Sequence, residues 1–86
     1  MPTISQFYGI TIRMYFDDHA PPHFHAYYGS DAAAIDIDNL QVLEGKVRRR
    51  TLAMVVEWAT AHRAELRENW DRATAHQPLQ EIAPLD

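Results

Sequence analysis

The 86-residue chain has no cysteine. It can build neither a disulfide framework nor a thiolate metal site, and it fits a reducing compartment. No apolar run approaches the ~20 residues that cross a bilayer, and the first residues lack a basic-then-apolar signal pattern, so a cytoplasmic protein with no membrane partner is expected. Basic charge is also scarce. Eight Lys and Arg stand against twelve Asp and Glu, for a net charge of −4 and a pI of about 5.6. Proteins that coat nucleic acid draw most of their affinity from phosphate contacts and are usually basic, so this balance counts against broad coating. A local basic site or a basic protein partner stays open. There is no internal repeat and no low-complexity stretch. What remains is one domain over residues 1–86 with room for a modest core, its 47% apolar content being that of ordinary globular chains.

The first half reads as β. Residues 2–6 form a short leader. Phe7 to Phe16 is aromatic and β-branched, with Ile10, Ile12, Met14 and Phe16 alternating against Thr11, Arg13 and Tyr15, which predicts one strand with Gly9 at a bulge or close approach. Pro21-Pro22 ends that element, because proline lacks a backbone donor and fixes φ. His23 to Tyr28 is a second strand, bounded by Gly29. Ala32 to Asp38 is a third, since its Ile-Asp-Ile-Asp alternation outweighs the helix preference of three alanines. Val42 to Glu44 is a short fourth, ending at Gly45. From Arg48 the period changes. Leu52, Val55, Val56, Ala59, His62, Leu66, Trp70 and Ala73 recur at three- and four-residue spacing, which predicts one helix over about 48–76. Gln77-Pro78 stops it and leaves an extended tail, 77–86, in which Ile82 and Leu85 are available to dock. The expected fold class is α+β: a small antiparallel sheet of three to four strands packed on one long C-terminal helix.

Side chains alternate along a strand, and a single helix covers one face of a sheet. The covered face collects Ile10, Ile12, Met14, Phe16, Phe24, Ala26, Tyr28, Ala33, Ile35 and Ile37. The other collects Arg13, Tyr15, His23, His25, Tyr27, Asp36 and Asp38. These residue types transfer protons and hold phosphate. For metal-independent RNA cleavage, His23 and His25 would act as acid and base, Arg13 would clamp the phosphate, and Tyr15 or Tyr27 would stack on a base or move a proton. No cofactor is expected under that reading. The plainer one is a solvated face with local cross-strand pairs such as Arg13 with Asp36.

A divalent metal such as zinc is the competing chemistry. His23-x-His25 points two imidazoles one way, and His19 or an aspartate would complete the set. Under the plainer reading His19 caps the Pro-Pro turn. His62 lies on the apolar stripe as a hydrogen-bonded core histidine, and His76 caps the helix end. Arg48, Arg49 and Arg50 form the one basic cluster, at the helix start, where backbone N–H groups favour anions; they are a candidate phosphate site, set against a solvated charge run. Trp58 and Trp70 are packing residues, Trp58 off the main stripe.

The run carried by Phe7, Tyr8, Gly9, Met14, Tyr15, Phe16, His19, Pro21, Pro22, His23, Phe24, His25 and Ala26, followed by AIDID, VLEG, EWATAHRAEL and NW, resembles a small bacterial family of unassigned function, domain of unknown function 4160. The likeness spans Ile4 to about Leu85. It implies a small protein partner encoded nearby, in an arrangement similar to toxin–antitoxin operons, and carries over no established catalytic residues. The expectation is therefore a component of a toxin–antitoxin-like pair, the effector half acting on RNA. The alternatives are a non-enzymatic module that docks its partner through the open face or the tail, and a small histidine metal-binding protein.

Overall fold

The computed structural model describes residues 2–86. Five strands, β1 (Thr3–Phe7), β2 (Ile10–Arg13), β3 (His23–Tyr28), β4 (Asp31–Asp36) and β5 (Val42–Lys46), precede two helices, α1 (Arg49–Ala61) and α2 (Arg63–Thr74). The strands lie in chain order in one antiparallel sheet. The α+β class and the strands-then-helix order stand as expected. Five strands replace the expected three to four, and two helices replace one.

The additional strand is β1, expected as a leader. Phe7 pairs with Ile10, so Tyr8-Gly9 is a two-residue hairpin turn. Both have positive φ, 51° and 79°, the combination that a type I′ turn demands. Gly9 therefore reverses the chain rather than bulging a continuous strand. At the other end the strand stops at Arg13. Met14 is fully buried and its N–H donates to the Pro2 carbonyl, outside the sheet. The helical break falls at His62, whose φ of −123° and ψ of 24° are not helical. Its ring is half-buried beside Trp58, and Nδ1 pairs with Glu65.

The covered face holds the expected set of Ile10, Ile12, Met14, Phe24, Ala26, Ala33, Ile35 and Ile37. Phe16 and Tyr28 pack at its margin. The helical stripe is rotated from the expectation. Val55, Ala59, Leu66 and Ala73 are buried as expected, but so are Thr51, Trp58 and Asn69, while Leu52, Val56, His62 and Trp70 are only partly covered. Trp58 is the largest fully buried side chain, not an off-stripe residue, and contacts Phe7 and Phe24. Its indole N–H donates to Ala83 O at 2.8 Å, and the Asn69 amide bonds both Gln80 O and Gln80 N. These two polar core residues hold the tail, whose Ile82 N–H donates to Ile4 O in β1. Ile82 and Leu85 dock as expected, and the tail is thereby occupied within the chain. Among the described residues no helix is long and apolar enough to cross a membrane.

Candidate metal centre

The site grows from the start of β3 and the loop before it. Alternation along β3 and its register with β2 and β4 bring Arg13, His25, Ala34 and Glu44 into one row across β2 to β5. His23 lies one step along, opposite Asp36. The expected Arg13–Asp36 pair does not form, because β2 faces β3 on its other side. Asp36 instead accepts the N–H groups of Asp38 and Asn39 and closes the turn after β4. Asp38 has left the strand and pairs with Arg67 of α2.

The loop of residues 14–22 folds back over the strand ends. Phe16 stacks on His76, 6.4 Å between centroids, just past the end of α2. His76 occupies the left-handed position (φ 58°) of a Schellman closure, with His76 N–H on Ala73 O and Gln77 N–H on Arg72 O. That docking sets Asp18 over β3. Its Oδ2 lies 3.1 Å from His23 Nε2 and 3.0 Å from His25 Nε2. The three donor atoms lie within 4.8 Å of one another. Donors around a tetrahedral zinc at about 2.0–2.1 Å stand roughly 3.3 Å apart, so this set fits such an ion.

The two imidazoles are positioned differently, His23 by the backbone and His25 by aromatic packing. His23 is buried; its Nδ1 lies 2.8 Å from Pro21 O. A carbonyl can only accept, so Nδ1 carries the proton and Nε2 presents its lone pair to Asp18 unless it is also protonated. Trp70 of α2 packs against the His23 ring at 5.3 Å. His25 is flanked by Tyr15 edge-on at 4.7 Å and by Tyr27 stacked at 6.4 Å, with the Arg13 guanidinium 5.6 Å from the Tyr27 ring. Tyr15 and Tyr27 share a hydroxyl–hydroxyl bond of 2.5 Å. Burial, then the bond to Tyr15, pushes the Tyr27 phenol up to about 12. A backbone carbonyl behind one imidazole, as at His23, and a packed aromatic surround, as at His25, are ways in which metal ligands are commonly oriented.

The expected site residues thus divide. His23 and His25 meet, with Asp18 as the third donor in place of His19. His19 is exposed, 6.2 Å from His23 by ring centroids, at the mouth of the same pocket. That pocket is lined by Asp18, His23 and His25 together with Pro21, Ala34, Leu43 and Glu44. Arg13, Tyr15 and Tyr27 do not line it; they back His25 from the other side. Arg48 caps α1 and is held by Asp31, which accepts both its Nε–H and its backbone N–H. That bond holds the Asp31 carboxyl below its usual range. Arg49 and Arg50 stay exposed in the first turn of α1. Asp18 was legible only as "an aspartate": the five-residue step from Asp18 to His23 is the available signal, and only the loop's fold separates Asp18 from Asp17. Glu44 carried no sequence signal.

The site is a histidine–carboxylate cluster on the rim of a small α+β sheet. Residues 9–71 match the family described as domain of unknown function (DUF4160), and the chain belongs to that family. No curated protein and no solved structure matches it.

Proposed function

We propose that this is a small metal-binding protein that holds one first-row divalent cation, zinc in the first instance, through Asp18, His23 and His25. The observation that carries the reading is the pair of contacts at His23, Nδ1 on Pro21 O and Nε2 on Asp18 Oδ2. With Nδ1 donating to Pro21 O, a neutral His23 turns a lone pair at a carboxylate oxygen that His25 also faces. A divalent cation accepts all three lone pairs at once, and imidazole with carboxylate suits zinc, nickel, copper and iron. Asp18, His23 and His25 all line one pocket, so a cation held by them would have that pocket as its route to water or a ligand. The test is metal content and titration of the full chain. One equivalent of Zn²⁺ or Co²⁺ is expected, lost in Asp18→Asn and in His25→Gln; both positions are partly exposed, so the fold survives the change. Substoichiometric binding by the native chain, or unchanged binding in both variants, would overturn the proposal.

A second reading has its own support. Arg13 bonds Thr3 Oγ1, has no carboxylate partner among the described residues, and lies directly opposite His25. That suits an effector acting on RNA within a toxin–antitoxin-like pair. It predicts growth arrest on induction of the native gene, abolished in the His23→Ala/His25→Ala double variant and in Arg13→Gln. Arrest that persists in Arg13→Gln but not in Asp18→Asn favours the metal reading instead.

A further inference from the structure

Glu44 belongs to the same pocket without belonging to the ligand cluster. We propose that it is the outer partner of the cation: its carboxylate accepts a hydrogen bond from the water in the open coordination position and biases that position against anions. The inference rests on the cation reading above. Glu44 lines the pocket with Asp18, His23 and His25, yet its oxygens fall outside the group of donors lying within 4.8 Å of one another. A carboxylate that shares the pocket but stands outside the donor set is placed to act through a bound water.

The sheet explains the placement. His25, Ala34 and Glu44 are successive cross-strand partners, and side chains in such a row project to one face. The small Ala34 between them leaves the hollow that the cation's open side faces. The register shift between Ala34 and Ile35 leaves Leu43 unpaired beside Glu44 and places both on the pocket wall. Glu44 is exposed and makes no ion pair among the described residues, so its charge is available to the pocket.

The consequence is a substrate class. Pro21, Ala34 and Leu43 offer apolar walls, and the charge of Glu44 opposes a phosphate or carboxylate at the cation. The site suits an uncharged acyl group, an ester or amide. With a cation held by Asp18, His23 and His25 to activate water, Glu44 would take one proton from that water as its oxygen bonded to the carbonyl carbon, and would return it to the departing alcohol or amine as the acyl bond broke.

The experiment is an azide titration of the Co²⁺-loaded full chain, followed in the visible ligand-field spectrum. Glu44→Gln is expected to keep its Co²⁺ affinity within about threefold while binding azide about fivefold more tightly, because one negative charge near the open position is removed. Glu44→Asp should restore weak azide binding. Unchanged azide affinity in Glu44→Gln would overturn the proposal. So would a Glu44→Gln ligand-field spectrum that shows a changed Co²⁺ coordination before azide is added, which would make Glu44 a direct ligand. If the native chain takes up no Co²⁺, the cation reading itself fails, and that result precedes any change at Glu44.

Discussion

At the scale of single residues, the chemistry concentrates on groups whose partners fix their state. His23 has one nitrogen committed to a carbonyl and the other facing a carboxylate; neither fact follows from a histidine two residues before another. Tyr27 is the residue whose titration reports the site most directly. Its phenol is pushed up to about 12, first by burial and then by Tyr15, whereas an unfolded tyrosine ionises near 10. Between those values the unfolded chain has lost a proton that the folded chain retains, so stability falls as pH rises through that window. Alkaline titration followed near 295 nm should show one late-ionising tyrosine, absent in Tyr27→Phe. The loss of stability between about pH 10 and about pH 12 should be smaller in that variant. A Tyr27→Phe titration identical to the native one would refute the assignment.

At the scale of elements, two backbone positions carry testable cost. Tyr8 holds φ 51° in the β1–β2 turn with its side chain 60% exposed, so it pays the left-handed penalty with little burial in return. Tyr8→Asn should raise stability by about 1 kcal/mol, read from the urea midpoint. Gly45 is the opposite case. With φ 78° in β5, an added Cβ would collide with the Ala32 carbonyl oxygen. Gly45→Ala should cost roughly 2–3 kcal/mol, and it should also disturb the neighbouring Glu44. The strands were legible where alternation ran unbroken, as in His23–Tyr28. At Tyr8-Gly9 the pattern carries no mark of the turn, because a run of apolar and aromatic residues looks the same whether it continues or reverses. The helix was legible from its period, but a break at one residue, His62, leaves the three- and four-residue spacing nearly intact.

At the scale of the whole molecule, the docked tail and the proposed cation site are the two couplings to test. The tail is fixed by the Trp58 indole and the Asn69 amide. Trp58→Phe removes a buried hydrogen bond and opens a void, for an expected loss of about 2–3 kcal/mol. Limited proteolysis should then cut within residues 79–86 before the rest of the chain; equal protection of that segment would count against its docking role. Metal binding to the folded state alone raises stability by about 2.7 kcal/mol at a hundredfold excess over Kd. For a domain of this size that is roughly 10–20 °C in Tm. A thermal scan with and without Zn²⁺ measures it, and Asp18→Asn should abolish the difference.

Composition and periodicity alone determined the absence of thiolate chemistry, the α+β class, the covered face of the sheet and the orientation of His23 and His25, because those depend on residue type and on the two-residue and 3.6-residue repeats of the backbone. Only tertiary structure decided that Asp18 rather than His19 completes the cluster, that Glu44 enters the pocket while Arg13 lies behind His25, and that Trp58 sits at the centre of the core. Each of those depends on where a loop or a strand edge comes to rest against distant elements. Phe16 on His76, Trp70 on His23 and the β4–β5 register shift place the residues of the site, and no local pattern in the chain encodes them.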